Sequence, residues 1–215
     1  MIRRMLLTSA TLLLTLTLHS AAKADTITLT GINGTGVTAT ITNYSLVGNQ
    51  FTFTINNTSV GPAATGTITN IGFALPGNRL NNFAIVSASN TNYKVAYDLN
   101  ATSGAQTLVS SFDLVLFDKV NGNPTFGGGS VSNGISGGSS ATFAISGDFS
   151  GLTAQQIAQS IFARFQAVNG GGSDVAAGGP PTTTAVPEPA TMLLFGSGLA
   201  GAAANLRNRR KAAKQ

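Results

Sequence analysis

Few residues in this sequence could carry acid–base, nucleophilic or metal chemistry. The chain of 215 residues has no cysteine and a single histidine, His19. A nucleophile activated by an imidazole base, and a zinc site of the usual kind, both need histidine or cysteine. Glycoside hydrolysis uses two facing carboxylates, but Asp113 and Asp118, five positions apart, point to opposite faces of a regular strand. The sequence therefore predicts a protein without catalytic residues, metal or cofactor.

Charge is concentrated at the two ends of the chain. The formal net charge is +5, yet charged residues make up only 9% of the sequence, well below the ~25% of an ordinary soluble domain. Between residues 25 and 186, four basic residues stand against six acidic ones, which gives a net charge of −2. Nucleic-acid binding requires a clustered basic face on the folded part, so the sequence predicts no nucleic-acid partner.

The N-terminal segment, MIRRMLLTSATLLLTLTLHSAAKAD, has the three parts of a secretory signal peptide. Two arginines form the basic start, residues 6–18 form an apolar stretch, and the small residues Ala22 and Ala24 precede a cleavage site at Asp25. The apolar stretch is shorter than the ~20 residues that a membrane-spanning helix needs. Residues 1–24 are therefore predicted to be removed during export by the general secretion machinery.

The C-terminal segment combines a proline-rich motif, an apolar run and a basic end. Pro187 and Pro189 cannot lie inside a helix, so they hold the peptide around Glu188 extended. The 17 apolar or small residues from 190 to 206 are at the low end of the length of a spanning helix. The basic residues that follow stay in the cytoplasm by the positive-inside rule. These residues are Arg207, Arg209, Arg210 and Lys211. The pattern predicts a short transmembrane helix whose preceding domain lies outside the membrane.

This segment, VPEPATMLLFGSGLAG followed by RNRRK, resembles a PEP-CTERM sorting signal, which we assign to residues 187–211. The resemblance implies recognition by an exosortase, a multi-pass membrane protease with a Cys/Arg/His active site of its own. It also implies a Gram-negative type of bacterium, a transient anchor in the inner membrane, and delivery to the cell surface or an extracellular polysaccharide matrix. The resemblance concerns how the protein is delivered and leaves the role of its domain open.

Residues 25–175 show the period-two alternation of β-strands. In TITLTG, VTATIT and FTFTIN, threonine alternates with apolar residues, which is typical of half-buried strands. Turn sequences such as NGTG, VGNQ and LPGN separate these from further predicted strands. The further strands are residues 67–75, 83–87, 93–99, 108–118 and 141–146. The pattern predicts a mainly β, antiparallel β-sandwich or jelly-roll-like domain, followed by a Gly/Pro/Thr linker at residues 176–186.

One amphipathic α-helix is predicted near the end of this domain, in LTAQQIAQSIFARFQAV. Thr153 and Gln156 have the spacing of a capping box at its start, and a run of three glycines ends it. Arg164 falls within the apolar stripe of this helix, where an unpaired charge would be costly. We therefore expect Arg164 to form a structural ion pair with Asp148, just before the helix, or with Asp174, just after it.

Residues 122–140 form a segment rich in glycine and serine. The segment lacks the Lys-Ser/Thr ending of a phosphate-binding loop and the repeated aspartates of calcium-binding glycine-rich repeats. It therefore predicts a long surface loop or hairpin tip rather than a ligand cradle.

Three non-catalytic roles are compatible with this domain. A structural or adhesive role in a polysaccharide or biofilm matrix is favoured, because it suits the low charge and the abundant hydroxyl and amide side chains. The alternative is a carbohydrate-binding module, with Tyr93 and Tyr97 on one strand face as its aromatic platform; core packing is the competing interpretation of both tyrosines. An ice-binding surface is least favoured, because Thr-x-Thr steps are also the ordinary solvent face of a strand.

Overall fold

The structure, a computed structural model, describes residues 25–77, 79, 82–102, 104–118 and 126–178. The predicted signal peptide (1–24), residues 179–186 of the predicted linker and the sorting signal at 187–211 lie outside the described residues. The predicted transmembrane helix at 190–206 lies outside them as well. Among the described residues, no helix has both the length and the apolarity needed to cross a membrane.

The described part of the chain contains ten β-strands and one short α-helix. The first five strands are β1 (Ile27–Gly31), β2 (Thr38–Val47), β3 (Gln50–Asn57), β4 (Thr67–Phe73) and β5 (Ala84–Ala88). They are followed by β6 (Lys94–Asn100), β7 (Ser111–Phe117), β8 (Ser140–Ser146), α1 (Ala154–Gln159), β9 (Ile161–Val168) and β10 (Gly172–Gly178). The mainly β prediction is confirmed, and the predicted strands from β1 to β8 are present within a few residues of their expected bounds.

All ten strands belong to one antiparallel sheet with the order β5-β8-β3-β2-β1-β10-β9-β4-β7-β6. The sheet curls until its two edge strands, β5 and β6, come close to each other. The antiparallel pairing was predicted, but a sandwich or jelly roll would have two separate sheets. Here the hydrogen bonds between β1 and β10 join the two halves, so the described strands form one continuous sheet.

The strands alternate in direction along the whole chain, which gives the sheet two different ends. Leu29 of β1 lies opposite Gly178 of β10, so the chain enters β1 and leaves β10 at the same end, which we call the terminal end. The connections β1–β2, β3–β4, β5–β6, β7–β8 and β9–β10 lie at the opposite end, which we call the distal end. The length of the strands therefore separates any site built from the distal connections from Asp25 and Gly178.

The concave face of the sheet holds the main hydrophobic core. Four fully buried phenylalanines stack or pack edge-on in its centre, with ring centroids 5.5–6.5 Å apart. These are Phe51, Phe53, Phe73 and Phe143. Offset and edge-to-face ring pairs each stabilise a core by about 0.5–1.5 kcal/mol beyond the burial of their area. The alternation in FTFTIN, which puts every second residue inward, is the sequence origin of this core.

A second, smaller hydrophobic cluster lies on the outer face of the sheet. Phe112 packs against Phe126, with ring centroids 4.2 Å apart, and against Phe162 at 5.3 Å. Ala105 and Val175 are buried in the same cluster. As a result, β4 and β7 are buried on both faces along nearly their whole length.

The helix prediction is correct at its start and wrong over its second half. Thr153 and Gln156 form the predicted capping box, but α1 ends at Gln159 and the chain continues as β9. In β9, Ile161, Ala163 and Phe165 face the main core while Phe162 faces the outer cluster. A strand that is apolar on both faces has no alternation to reveal it, so IFARFQAV matched a helical period as well as a strand.

The predicted linker begins inside the last strand. Residues 176–178 belong to β10, where Ala176 is buried and pairs with Gly31 of β1. The small residues in VAAGG suit a flexible tether, but they also suit a strand that must approach its neighbours closely. Among the described residues the folded domain therefore extends from Asp25 to Gly178.

Candidate functional site

Asp148, one predicted partner of Arg164, lies beside a different arginine. Arg79 Nη1 is 3.4 Å from Asp148 Oδ1, and the Asp148 side chain is 64% exposed. Ser150 Oγ and the Ser150 amide also donate to Asp148 Oδ1, at 2.6 and 3.0 Å. These hydrogen bonds, followed by the attraction of Arg79, lower the pKa of Asp148. An exposed ion pair of this kind contributes little to stability, so it tethers two loops at the terminal end.

Asp174, the other predicted partner, is fully buried and organises the β1–β2 connection. Its carboxylate accepts hydrogen bonds from the Asn33 amide at 3.1 Å, from Asn33 Nδ2 at 2.8 Å and from Thr35 Oγ1. Asp174 lies opposite Phe165, whereas Arg164 lies opposite Val175, so the two side chains leave opposite faces of the sheet. Burial lowers the pKa of Arg164, and the charge of Asp174 opposes that shift. The ion pair itself stays a prediction.

The two tyrosines of the predicted aromatic platform have different environments. Tyr93 is buried, its hydroxyl donates to the Ile68 carbonyl at 2.6 Å, and its ring packs edge-on against Phe143. Tyr97 is 47% exposed. A flat sugar-stacking surface needs both rings accessible, so this pair does not form one; for Tyr93, the core-packing interpretation is correct.

A buried carboxyl group lies at the distal end, where β7 ends. Asp118 is fully buried, and its Oδ1 accepts a hydrogen bond from the Ser130 amide at 2.8 Å. Burial raises the pKa of Asp118 from 3.8 to about 6, against the lowering effect of the Ser130 hydrogen bond. Within the described residues, Asp118 Oδ2 and the buried Thr69 Oγ1 have no hydrogen-bond partner. A Cβ on Gly129 would be 2.4 Å from Thr69 Cβ, so only glycine fits over this pair.

An uncharged groove of about 450 Å³ also lies at the distal end. One wall is the β5–β6 connection, with Ser89, Asn90, Thr91 and Asn92. The other wall comes from the β7–β8 connection and the start of β8, with Ser132, Asn133, Gly134, Ile135, Ser136, Ser139 and Ser140. Every side chain in the lining except Ile135 and Gly134 ends in a hydroxyl or an amide, so the groove offers hydrogen-bond donors and acceptors without charge.

Hydroxyl groups also cover the convex face of β1, β2, β3 and β8. Thr28 lies opposite Thr40 across β1 and β2, and Thr54 lies opposite Thr142 across β3 and β8 with their hydroxyls 2.8 Å apart. Neighbouring strands in a sheet rotate by about 20–25° relative to each other, so this face is twisted rather than planar. The planar lattice of ice would therefore fit the threonine hydroxyls of only a few neighbouring strands. The ice-binding interpretation stays untested.

Among the described residues, no three His, Cys, Asp or Glu side chains come together in a way that could hold a metal ion. The acids are dispersed: Asp113 accepts the Leu75 and Arg79 amides and fixes the β4–β5 connection, while Asp118, Asp148 and Asp174 lie in separate places. Each of these four acids thus holds a loop through its hydrogen bonds.

The described residues define an antiparallel β domain whose candidate site is an uncharged, hydroxyl- and amide-lined groove. Residues 185–210 match the family model of the PEP-CTERM protein-sorting motif. The chain therefore carries a PEP-CTERM protein-sorting motif near its C-terminal end, as the resemblance indicated, and this motif supports an exported protein that is sorted by an exosortase. Neither a curated protein nor a solved structure matches the chain.

Sequence reasoning missed the groove, although a signal was present. SASNTN and SVSNGISGGSS are turn-rich segments of small hydroxyl and amide residues, and both were interpreted only as connections. Their common location at the distal end requires the strand order, which places β5 beside β8.

Proposed function

We propose that this protein is exported, held briefly in the inner membrane by its C-terminal helix, and released by an exosortase that acts at Pro187-Glu188-Pro189. It then serves a structural or adhesive role at the cell surface or in the extracellular polysaccharide matrix. The observation that carries the proposal is the match of residues 185–210 to the PEP-CTERM sorting motif. The composition of that segment supports it, because proline disfavours helix and favours an extended backbone, which is the form in which proteases bind a peptide.

The composition of the domain supports a matrix role. Residues 25–186 carry few charges and no cysteine, so the fold depends neither on disulfides nor on metal-thiolate sites and is insensitive to redox conditions. The convex face of β1, β2, β3 and β8 presents hydroxyl groups, which hydrogen-bond to water and to polysaccharide alike. Low surface charge reduces the salt dependence of such contacts.

Mass spectrometry of the exported protein tests the sorting step. We expect a mature N-terminus at Asp25 and a C-terminus that has lost residues 207–215. The variant Glu188→Ala should retain these residues and stay in the membrane fraction, whereas Thr183→Ala, outside the matched segment, should be processed normally. A wild-type exported protein that still carries Arg207 to Gln215 would contradict the proposal.

Deletion of the gene tests the matrix role separately. We expect a mechanically weaker extracellular matrix with unchanged polysaccharide yield, restored by the wild-type chain and not by Glu188→Ala. An unchanged matrix would leave the sorting step standing and remove the structural role.

A further inference from the structure

The groove lies at the distal end, opposite the place where the chain enters and leaves the described domain. Both walls come from connections of the distal end, whereas Asp25 and Gly178 lie at the terminal end. The length of the strands therefore separates the groove from both Asp25 and Gly178.

The walls of the groove are held in place by contacts that leave several of its polar groups exposed. The Asn133 carbonyl accepts hydrogen bonds from Asn90 Nδ2 at 2.9 Å and from Asn92 Nδ2 at 3.4 Å, which joins the two walls. Ile135 pairs with Ile68 of the sheet through two backbone hydrogen bonds of 2.9 and 3.0 Å. A Cβ on Gly134 would be 2.4 Å from the Ile68 carbonyl oxygen, so this loop packs directly on the sheet.

Exposed hydroxyl groups line the groove. Thr91 lies on one wall and Ser132 and Ser136 on the other, and all three are exposed. The volume of about 450 Å³ is within the ~300–1,000 Å³ of small-molecule sites. Because hydrogen bonds already join the two walls and fix one of them to the sheet, a ligand would have less of the lining to order, and binding would lose less conformational entropy.

The chemistry of the lining selects the class of ligand. No residue of the lining is titratable, so the groove has no cation for an anionic ligand and no anion for a basic one. Its single apolar residue, Ile135, is buried, so an apolar ligand would gain little contact area. Hydroxyls and amides that donate and accept at short intervals match a ligand that is itself neutral and rich in hydroxyl groups.

We propose that the groove between the β5–β6 and β7–β8 connections binds a segment of a neutral polysaccharide. This inference rests on the proposed function, because it names the matrix component that the exported domain contacts. It revises the expectation that residues 122–140 form a surface loop without a ligand. The twisted hydroxyl face of β1, β2, β3 and β8 is the competing surface, and the test below separates the two.

Calorimetric titration of the full-length chain in a mild detergent tests the proposal. The probes are neutral hexasaccharides of glucose, mannose and galactose, with hexagalacturonate as the anionic counterpart. We expect saturable binding of at least one neutral probe, with a Kd that changes less than twofold between 50 and 500 mM NaCl, since exposed charges are not involved.

Two blocking variants and a matched control locate the site. Ser136→Leu and Thr91→Leu each remove a hydroxyl and fill the groove from one wall, so each should weaken binding at least tenfold. Ser45→Leu makes the same change at an exposed position on β2 and should leave the Kd within twofold. Because Ser136 and Thr91 lie on different walls, loss of folding in one variant leaves the other as the test.

Three results would overturn the proposal. They are the absence of binding by every neutral probe, preferential binding of hexagalacturonate, and a loss of binding in Ser45→Leu but in neither groove variant. The C-terminus of the protein exported by its own cells is determined separately by mass spectrometry. A processed C-terminus without glycan binding would refute the groove and leave the sorting proposal intact, and the reverse result would do the opposite.

Discussion

Asp118 makes the stability of the domain fall as pH rises, and Asp118→Asn should remove this effect. In the unfolded chain this carboxyl group has its ordinary pKa of 3.8, and burial raises the pKa to about 6 in the folded domain. Between these values the folded state binds more protons than the unfolded state. The contribution of Asp118 to stability is therefore highest below about pH 4, declines as pH rises through 6, and stays low above it.

The magnitude follows from the two pKa values. A difference of about two units, at ~1.4 kcal/mol per unit, corresponds to at most about 3 kcal/mol of unfolding free energy at pH 7. Asparagine keeps an oxygen that can accept from the Ser130 amide, and it carries no charge to desolvate at any pH. The variant should thus retain the fold, lose this pH dependence and be more stable than the wild type at pH 7.

Urea denaturation of residues 25–186 at pH 4, 5, 6 and 7 measures the effect. The difference in unfolding free energy between Asp118→Asn and the wild type should grow from near zero at pH 4 to its maximum at pH 7. Asp148→Asn is the control: because Ser150 lowers the pKa of Asp148 below its ordinary 3.8, that carboxyl group titrates mostly below pH 4, and its loss should leave the pH dependence between pH 4 and 7 nearly unchanged. Parallel curves for Asp118→Asn and the wild type would refute the reasoning.

Three further substitutions test the packing and capping of the domain by chemical denaturation. Gly129→Ala should destabilise it by about 1–3 kcal/mol through overpacking, because the new Cβ would be 2.4 Å from Thr69 Cβ; Gly171→Ala, with nothing within 4 Å, should cost much less, and equal effects would contradict the close approach. Phe112→Ala should cost about 3–5 kcal/mol, and a cost below 1 kcal/mol would mean that the outer cluster is not packed. Thr153→Ala should cost about 1 kcal/mol and Thr153→Ser much less; similar losses would argue against the side-chain cap.

The strands that face water on one side could be predicted from the sequence, and those buried on both sides could not. In β3, FTFTIN alternates because one face packs on the core while the other meets solvent. In β9, Phe162 and Phe165 face different clusters, so the apolar residues follow one another without a period of two. β10 was missed for another reason, because its alanines and glycines fit a close strand contact and a tether equally well.

The candidate site was harder to predict from the sequence than the strands. The sorting motif is continuous, so its residues could be recognised in order along the chain. The groove combines residues 89–92 with residues 132–140, and only the pairing of β5 with β8 brings these connections together. Likewise, the expected ion pair of Arg164 with Asp148 or Asp174 assumed a helix, whereas Arg164 lies in β9, where it pairs with Val175 while Asp174 pairs with Phe165; the ion pair stays a prediction.

The pairing of the first strand with the last one has a consequence for the timing of export. β1 and β10 are hydrogen-bonded neighbours in the middle of the sheet, so the two halves of the sheet stay unjoined until residue 178 is available. Pro187 follows only nine positions later. In a chain that crosses the membrane N-terminus first, almost all residues that precede the sorting signal must therefore emerge before β1 can pair with β10. Contacts between residues so far apart in the sequence form slowly. The unjoined intermediate would expose strand edges, which makes completed translocation the step that protects this protein from aggregation.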